Sequence, residues 1–489
     1  MFDHSGALKY YMSFLSPEEQ KKTYRLESVA ALEKLNMTEY SALTAIETPD
    51  SKISYESLWH DVGCIRKGLM ELGIQKGQFV GISLPNNANC VKCFLAVMTM
   101  GAVAAMLPAV LSGTALENPC RLLRPAVVIT NLADVPCASV TPEKLLESDF
   151  APAASIAPSD PAAAFFTGGT SGIPKSCLLT HSAMMTGSFN GIFVPDGAYF
   201  QRYYALMPFT HVFGSIRNML TCLQTGSTLC MSTGMMRLVA DLQAYRPTLL
   251  VLVPALAQML LDVVKAYGPM AIGGAVKTII SGSAPIAGHI AEGFNEFGIK
   301  LYSGYGLTET ANLVTGNVDQ LTKPHSVGKL YADQEIRFVD GEIQLKGPHI
   351  FTEYINNPAE TRNAFDDGWF KTGDLGYLDE EGYLYITGRI KNYICLDNGE
   401  KISPEEPEML VSDLKQVRAC LVTLKENRFG AKVLSCEVLP EKGANPEEIE
   451  KLIFESVNPR LPAAAQIQMV SFRTEDFKRT PSMKIVREQ

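Results

Sequence analysis

The stretch Thr167-Gly-Gly-Thr-Ser-Gly-Ile-Pro-Lys175 decides how this sequence is interpreted. It holds three glycines, three hydroxyl side chains and one lysine within nine residues. Glycine lets backbone N–H groups approach phosphate oxygens, the hydroxyls donate hydrogen bonds, and the lysine neutralises negative charge. A surface turn has no need of a Thr/Ser cluster that ends in Lys. The stretch therefore predicts a phosphate-binding loop, called the phosphate loop below, whose candidate contacts are Thr167, Gly168, Gly169, Thr170, Ser171, Gly172 and Lys175.

The segments that flank the phosphate loop give it a structural context. Residues 163–166 (Ala-Ala-Phe-Phe) predict a short buried strand that runs into the loop, and residues 178–181 (Leu-Leu-Thr-His) open a stretch predicted as helical. The competing interpretation is a P-loop of the G-x-x-x-x-G-K-S/T type, which residues 169–176 nearly match. However, Pro174 occupies the place of the second glycine, and proline has no N–H to offer a phosphate. We therefore reject the P-loop.

Strand-like and helix-like segments alternate along most of the chain. Buried strands are predicted at residues 80–84, 126–130, 248–253 and 276–280. Helical patterns such as residues 255–267 lie between some of them, and this alternation predicts an α/β core with mainly parallel sheets. From Gly341, short alternating strands and acidic turns predict a smaller β-rich subdomain. The segment after Gly388, about a hundred residues long, has the size of a compact α+β domain.

Composition and charge limit the class of protein. Of the 489 residues, 46% are hydrophobic and 19% are charged, which excludes disorder for most of the chain. A net charge of −9 opposes a basic groove over the whole surface, so no nucleic-acid partner is predicted. The most apolar run, residues 94–111, is interrupted by Gly101 and Pro108 and predicts a helix and a buried strand, not a membrane span. Eleven cysteines and an N-terminus without signal-peptide features predict a reduced, cytoplasmic location.

The phosphate loop resembles that of the adenylate-forming superfamily, which includes acyl-CoA synthetases, firefly-type luciferases and peptide-synthetase adenylation domains. The family pattern is S/T-S/G-G-S/T-S/T-G-x-P-K-G, and only its last glycine departs here, as Ser176. Six motifs occur in the family's order, and the resemblance extends from Leu84 to Lys484, essentially the whole chain.

The resemblance implies the domain organisation. It predicts an α/β fold with a large N-terminal adenylation domain, built of layered α/β subdomains and the β-rich subdomain. A hinge and a small mobile α+β C-terminal domain follow. The implied boundaries are 1–387 for the N-terminal domain, 388–391 for the hinge and 392–489 for the C-terminal domain.

Residues 302–310 (Tyr-Ser-Gly-Tyr-Gly-Leu-Thr-Glu-Thr) match the family's Y-G-x-T-E motif. The resemblance implies that Tyr305 offers a flat face to the adenine of ATP and that Thr308 offers a hydroxyl to phosphate. Glu309 is implied to be a catalytic residue and a hard oxygen ligand to Mg²⁺. Alone, Glu309 would more often be a solvated surface carboxylate, and its place beside the phosphate loop motif is what makes it a candidate.

Two later motifs are implied to bind ribose and to form the hinge. Residues 369–374 (Trp-Phe-Lys-Thr-Gly-Asp) match W-F/Y-x-T-G-D, and Asp374 is implied to accept hydrogen bonds from both ribose hydroxyls. Arg389 follows as a candidate contact of ribose or phosphate, and Lys391 occupies the hinge position. The family usually has an acidic residue next, where this chain has Asn392.

The acyl pocket is implied by a third group of residues. The small-residue turn at 281–285 (Ser-Gly-Ser-Ala-Pro) is similar to the family turn that lines the adenine and acyl pockets, with Ser283 toward ATP. Gly282 and Gly304 are candidates for the acyl side. His211 stands where the family places a histidine or an aromatic residue, although a packed core histidine is nearly as common there.

The C-terminal motif carries the implied catalytic lysine. Residues 479–487 are similar to T-x-S/T-G-K-I/V-x-R, and Lys484 aligns with the lysine that contacts the substrate carboxylate and the α-phosphate. Met483 replaces the family's glycine, and Pro407 replaces an aliphatic residue in an earlier motif, where it should alter a helix start.

Together the motifs imply ATP-dependent activation of a carboxylic acid to an acyl-adenylate, with Mg²⁺, followed by transfer to the thiol of coenzyme A. Two alternatives stay open: an enzyme that loads a separate carrier protein, and a non-catalytic regulator that binds nucleotide or acyl ligand. Phe213 and Tyr302 among small residues are compatible with an aromatic or a medium aliphatic acid.

Overall fold

The structure is a computed structural model that describes residues 4–167, 175–195, 197–396, 400–479 and 485–487. Its largest sheet has fourteen strands. In spatial order, thirteen of them are Glu335–Val339, Glu342–Lys346, Trp369–Leu378, Leu384–Arg389, Ser326–Leu330, Thr315–Asn317, Lys300–Tyr305, Thr278–Ser281, Leu249–Leu252, Arg202–Ala205, Thr228–Met231, Thr44–Glu47 and Lys52–Ser54. Phe365–Asp366 is the remaining strand and pairs with Trp369–Leu378.

The pairing of this sheet changes along its width. From Lys300–Tyr305 to Thr44–Glu47 the neighbouring strands are parallel. From Lys300–Tyr305 toward Glu335–Val339 they are antiparallel. The predicted β-rich subdomain is therefore continuous with the parallel α/β sheet, and it begins earlier than Gly341, at Ser326.

A second sheet has seven strands, in the order Glu353–Tyr354, Lys175–Thr180, Pro161–Thr167, Val103–Met106, Phe79–Ser83, Val127–Thr130 and Ser139–Val140. Its strand Pro161–Thr167 contains the predicted strand at 163–166. The prediction of helix from Leu178 is wrong, because Lys175–Thr180 is a strand antiparallel to Pro161–Thr167. A short apolar run does not distinguish strand from helix, and here ladder pairing decides. The helix begins at His181, where the Thr180 hydroxyl accepts from Ala183 N–H at 3.1 Å.

Helices cover the sheets and fill the connections between strands. The α-helices are His4–Met12, Pro17–Lys22, Val29–Leu35, Tyr55–Glu71, Ala88–Thr99, Glu117–Leu123, Pro142–Leu146, His181–Asn190, Thr221–Gln224, Leu238–Tyr245, Pro254–Tyr267, Gly288–Asn295, Pro358–Ala364, Glu405–Ser412 and Pro446–Leu452. The π-helices are Asn36–Tyr40, Phe213–Leu220 and Ile453–Val457. The short 3₁₀-helices are Gly113–Leu116, Met235–Arg237, Pro269–Ile272, Thr308–Thr310, Ile390–Asn392, Asn458–Arg460 and Ala463–Ala465.

The apolar run at 94–111 forms the helix Ala88–Thr99 followed by the buried strand Val103–Met106, as predicted. Every helix within the described ranges is too short or too polar to cross a membrane. All eleven cysteines are free thiols, ten of them buried or partly buried.

The residues after the hinge have a hydrophobic core of their own. Strands Val417–Glu426, Lys432–Pro440 and Met469–Phe472 form a three-stranded sheet, and Ile394–Cys395 pairs with Lys401–Ile402. Val411, Val422 and Ile449 lie at the centre of this separate core. Asp413 connects it to the rest of the molecule, because its carboxylate lies 3.1 Å from His325 Nε2 and accepts from Gly288 N–H at 3.3 Å.

Candidate functional site

Tyr305, Asp374 and Arg389, which come from three separate motifs, meet in one hydrogen-bonded group. Asp374 and Arg389 are register partners on adjacent antiparallel strands. The Tyr305 hydroxyl donates to Asp374 Oδ2 at 2.7 Å. Arg389 Nε lies 2.6 Å from Asp374 Oδ1, and a second guanidinium nitrogen lies 3.4 Å from Oδ2. The predicted adenosine-binding residues are therefore adjacent in space.

Burial defines the electrostatics of this group. Only 2% of Asp374 is exposed, so its charge depends on its protein partners. Burial, together with the nearby Asp374 carboxylate, raises the pKa of Tyr305 well above its ordinary value, so the phenol stays a hydrogen-bond donor. Burial alone would lower the pKa of Arg389, but Asp374, Tyr305 and Glu309 together outweigh burial, and the pKa is raised. The pair is thus a permanent cation beside a buried carboxylate.

Glu309 is held in a short helix that follows directly from the strand carrying Tyr305. The 3₁₀-helix Thr308–Thr310 is closed by Thr310, whose hydroxyl accepts from Leu307 N–H at 2.8 Å. Gly306 is needed at the entry to this turn, because a Cβ there would lie 1.2 Å from the Asn312 carbonyl oxygen. Glu309 Oε1 accepts from the Tyr354 hydroxyl at 2.8 Å, which orients the carboxylate.

Lys175 lies on the other side of Tyr354. Its ammonium is 5.1 Å from the centre of the Tyr354 ring and forms an ion pair with Glu360. The Lys175 side chain lowers the pKa of Glu360 through that hydrogen bond. Burial first, and then the Glu309 carboxylate, raise the pKa of the neighbouring Cys177 thiol. The lysine of the phosphate loop and the predicted metal ligand therefore share one aromatic neighbour.

The phosphate loop itself is described only at its ends. Thr167 and Lys175 are register partners that close the hairpin on which the loop stands. The other predicted contacts, Gly168, Gly169, Thr170, Ser171 and Gly172, lie outside the described residues. Ser176, where the family has glycine, is a fully buried strand residue paired with Phe166.

Tyr354 and Glu360 are site residues that sequence analysis missed. Tyr354 lies in the short strand Glu353–Tyr354 and Glu360 in the helix Pro358–Ala364, and neither belongs to a motif that we identified. Their partners lie 45 and 185 positions away along the chain, and no local pattern signals such a pairing.

The candidate acyl-pocket residues gather on one face of the parallel sheet. Because Ser281 pairs with Ser303, the residues that follow them, Gly282 and Gly304, are neighbours. A Cβ at Gly282 would lie 3.0 Å from the ring of Phe213, which covers this glycine. A Cβ at Gly304 would lie 2.6 Å from the Thr315 carbonyl oxygen, so Gly304 needs to be glycine.

His211 and Ser283 border the same region. The His211 carbonyl accepts from Ser215 N–H at 3.0 Å and from the Ser215 hydroxyl at 3.1 Å, which fixes the start of the helix Phe213–Leu220. Ser283 has φ of 72°, a left-handed conformation that costs a non-glycine residue roughly 1–2 kcal/mol. Strain of this kind concentrates at functional sites.

The helix Glu405–Ser412 contacts both the hinge and the C-terminal motif, through Glu405 and Glu408. Lys391 lies in the 3₁₀-helix Ile390–Asn392, and the Asn392 amide donates to Glu405 Oε1 at 2.5 Å. Arg487 donates to Glu408 Oε2 and lies 3.8 Å from Glu405. Lys484 and Met483 lie outside the described residues, three or four positions before this anchor.

Pro407 causes less disturbance than expected. It lies in the first turn of the helix Glu405–Ser412, where backbone N–H groups have no partner within the helix, and it is buried. The helix begins normally after Pro404.

The sequence of this chain is similar to those of known ligases. A family model described as "AMP-binding enzyme" matches residues 34–355, more than half of the chain. A 2-succinylbenzoate–CoA ligase of Bacillus cereus is 27% identical over 475 residues, covering 91% of this chain and 94% of that protein. The peroxisomal OPC-8:0-CoA ligase 1 of Arabidopsis thaliana is 26% identical over 486 residues, covering 89% of this chain and 87% of that protein.

Among solved structures, the anthranilate CoA ligase AuaEII in complex with anthranoyl-AMP has a TM-score of 0.83 at 20% identity, over 97% of both chains. This likeness confirms the α/β fold. The family match includes the phosphate loop and Glu309, and it confirms the predicted family: the chain belongs to the AMP-binding enzyme family, in the acyl-CoA synthetase branch of the adenylate-forming superfamily.

Proposed function

We propose that this protein is an AMP-forming acyl-CoA synthetase, an acid–thiol ligase. It joins a carboxylic acid to the AMP part of ATP, releases pyrophosphate, and passes the acyl group to the thiol of coenzyme A. The observation that carries the proposal is the convergence of Tyr305, Asp374 and Arg389 beside the strand that leads to Glu309.

The reaction solves a leaving-group problem. A carboxylate is a poor acylating agent because its leaving group would be oxide. When the carboxylate attacks the α-phosphorus of ATP, pyrophosphate leaves, and the acyl carbon gains AMP as its leaving group. The demands on the protein are positioning and the neutralisation of charge where two anions meet.

The Tyr305–Asp374–Arg389 group suits the adenosine end. A carboxylate offers about four acceptor positions. Tyr305 and Arg389 use both oxygens of Asp374, with one contact on Oδ1, which leaves room there for a ribose hydroxyl. The Tyr305 ring would stack on adenine, and Arg389 supplies a counter-charge to the Asp374 carboxylate.

Lys175 and Glu309 suit the polyphosphate end. Lys175 is paired with Glu360, a partly exposed carboxylate, and a phosphate oxygen would replace that partner when ATP binds. The backbone of the phosphate loop and the Thr308 hydroxyl would then contact the same phosphates. Ribose would then lie near Asp374, and the β- and γ-phosphates near Glu309.

The residues present also fit Mg²⁺. Within the described ranges no group of three or more His, Cys, Asp or Glu is placed to hold a metal ion. Mg²⁺ needs no such cage, since it is commonly held by one or two carboxylates, water and substrate phosphates. Glu309, oriented by Tyr354, would supply that carboxylate. The bound ion would neutralise charge on the phosphates.

Lys484 and Lys391 complete the proposal. Lys484 would offset the negative charge where the acid meets the α-phosphate. Rotation of the C-terminal domain about Lys391 would then withdraw Lys484 and admit the thiol, a hinge motion between two arrangements of the same domains. The separate hydrophobic core after the hinge is consistent with such a rigid unit.

The acid and the acceptor are proposed from the relatives. The curated relatives named above are CoA ligases, which favours coenzyme A over a carrier protein as acceptor. The Phe213 ring over Gly282 would move aside for an aromatic or a medium aliphatic acid. Free thiols at all eleven cysteines support a reduced, cytoplasmic location.

A panel of carboxylic acids tests the proposal. Acyl-adenylate is trapped as hydroxamate, with ATP and Mg²⁺, and the thioester is identified by mass spectrometry with coenzyme A or a carrier protein. We expect acid-dependent pyrophosphate release that is lost in Lys484→Ala and kept in Lys451→Ala, an exposed lysine elsewhere in the same domain. Tight ATP binding without turnover on any acid would instead support a non-catalytic regulator.

A further inference from the structure

The thiols of Cys120 and Cys137 are in direct contact. Cys120 lies in the helix Glu117–Leu123, and Cys137 lies in the connection between the strands Val127–Thr130 and Ser139–Val140. The Cys137 thiol donates to Cys120 Sγ, with 3.5 Å between the two sulfurs. In a disulfide the sulfurs are about 2.05 Å apart, so a bond between them requires an approach of about 1.5 Å.

The exposure of Cys137 distinguishes this pair from other neighbouring thiols. Cys137 is partly exposed, whereas only 7% of Cys120 is exposed. Other neighbouring thiols are buried in both members, namely Cys90 with Cys93, Cys222 with Cys230, and Cys420 with Cys436. A dissolved oxidant therefore reaches the first pair, through Cys137, and is kept from the others.

The two thiols differ in reactivity. Burial first, and then the hydrogen bond with Cys137, raise the pKa of Cys120 to about 12, so Cys120 stays a protonated thiol at neutral pH. Thiolates are the form that attacks oxidants. Oxidation by a peroxide therefore begins at Cys137: its sulfur breaks the O–O bond, becomes a sulfenic acid, and releases water.

Cys120 completes the reaction because it already touches Cys137. Its sulfur attacks the sulfenic sulfur, the S–S bond forms as the S–O bond breaks, and the Cys120 proton leaves with the hydroxide as a second water. In total the two thiols lose two electrons and two protons, and one peroxide is reduced to two waters. A thiol reductant reverses the change by thiol–disulfide exchange and is itself oxidised to a disulfide.

The helix that carries Cys120 is tied to the candidate phosphate site. The Asn356 side-chain amide donates to the Leu122 carbonyl oxygen at 2.6 Å. Two residues before Asn356, the Tyr354 hydroxyl donates to Glu309 at 2.8 Å. A movement of this helix is therefore passed to the segment that orients Glu309.

The apolar cluster around Cys120 reaches the same site. Ile355, which lies between Tyr354 and Asn356, is a buried member of this cluster. Cys137 and Phe166 pack against it, and Phe166 directly precedes the phosphate loop. Because protein interiors are close-packed, these neighbours must absorb any change in the separation of the two sulfurs.

We propose that Cys120 and Cys137 form a reversible redox site, which a peroxide converts from dithiol to disulfide, and that the disulfide weakens ATP binding at the neighbouring phosphate site. The effect on ATP rests on the proposed function, because it assumes a nucleotide beside Lys175 and Glu309. Disulfides in cytosolic proteins are usually transient and redox-sensing, and a reversible pair of this kind fits that pattern.

Peptide mapping of the full chain tests the disulfide. Cys395 is exposed and would react with peroxide by itself, so the experiment uses Cys395→Ser as its background. The protein is treated with hydrogen peroxide, blocked with N-ethylmaleimide and digested with trypsin, which cleaves after Arg121 and separates the two cysteines. We expect a cross-linked peptide that joins Cys120 to Cys137, that disappears with dithiothreitol, and that is missing in Cys137→Ser.

Nucleotide affinity tests the functional effect without requiring the acid substrate. The Kd of a fluorescent ATP analogue is measured before oxidation, after oxidation and after dithiothreitol. Coupling between two sites typically changes affinity at least about 5-fold, so we expect the oxidised protein to bind at least about 5-fold more weakly and the reduced protein to recover. Cys137→Ser and Cys137→Ala, in the same background, should keep the affinity of the reduced protein throughout.

Three results would overturn the inference: no cross-linked peptide, a cross-linked peptide with unchanged affinity, or an equal loss of affinity in Cys137→Ser. The third result would assign the effect to another thiol. If the reduced protein does not bind the ATP analogue, the proposed function fails, and the peptide map still decides whether the disulfide forms.

Discussion

The Tyr354 hydroxyl donates to Glu309 Oε1 at 2.8 Å, while the face of the same ring lies 5.1 Å from the Lys175 ammonium. Burial first, and then Glu309, raise the pKa of Tyr354 far above its ordinary value, so the phenol remains a donor at any physiological pH. One aromatic side chain thus holds the candidate metal ligand and borders the lysine of the phosphate loop.

Tyr354→Phe removes the hydrogen bond and keeps the ring. We expect the KM for Mg·ATP to rise about 5- to 10-fold, because the Glu309 carboxylate loses the donor that orients it. Steady-state kinetics at varied Mg·ATP measures this change. Tyr377→Phe, at an exposed stacked tyrosine, is the control and should keep the wild-type KM. An unchanged KM in Tyr354→Phe would show that Glu309 needs no such orientation.

Asp374→Asn leaves the Arg389 guanidinium without its buried counter-charge and presents an amide to ribose. We expect kcat/KM for ATP to fall at least about 100-fold, since charged hydrogen bonds on both sides of the carboxylate are lost. Tyr305→Phe, which removes one donor and keeps the ring, should cost only about 10-fold. Fluorescent ATP-analogue binding separates affinity from turnover. Equal binding by wild type and Asp374→Asn would exclude Asp374 as a nucleotide contact.

Gly306→Ala tests whether the turn before Glu309 requires a residue without a Cβ at position 306. The added Cβ would lie 1.2 Å from the Asn312 carbonyl oxygen, so the backbone must move. We expect a loss of at least about 3 kcal/mol in the free energy of unfolding or loss of activity, which urea titration and hydroxamate assay detect. Gly288→Ala is the matched control, because its Cβ would come no closer than 3.3 Å to Pro324. A wild-type-like Gly306→Ala enzyme would contradict the geometry of this turn.

Glu408 should make stability depend on pH. Burial raises its pKa from 4.5 to about 7, although Arg487 and the Val422 N–H favour the charged form. The folded state therefore holds this proton more tightly than the unfolded chain does, so the stabilisation is complete below pH 4.5 and is lost as the pH rises through about 7. The free energy of unfolding should fall by up to about 3 kcal/mol over this range.

The comparison of Glu408→Gln with wild type isolates this contribution. Urea titrations across the range should show a smaller decrease with pH in the variant, while Glu447→Gln, at an exposed helix residue, should follow the wild type. Parallel pH profiles for Glu408→Gln and wild type would mean that Glu408 is already ionised throughout.

Sequence analysis predicted correctly those elements that depend on residues close together in the chain. The strand and helix at 94–111, the parallel core strands and the β-rich segment follow from hydrophobic patterns of short range. The association of Tyr305, Asp374 and Arg389 was implied by motifs, and the structure brings these side chains together. Their roles in binding ATP stay predictions, as do those of Lys484 and Lys391.

The failures concern pairing between distant segments. Residues 178–180 carry an apolar pattern that suits a helix, yet they form a strand because Pro161–Thr167 is available to pair with them. Tyr354 and Glu360 belong to no motif, and they reach the site because a short strand pairs beside Lys175–Thr180.

The sequence by itself determined the family and the reaction class, and it predicted the residues for phosphate and ribose chemistry. Glycines, hydroxyls and acids at fixed spacing are constraints that act over a few residues. Only the tertiary structure decided that Tyr354 links Lys175 to Glu309, and that Glu360 pairs with Lys175. Burial and ion pairing depend on which remote segments pack together, and that information is not contained in any short stretch of the chain.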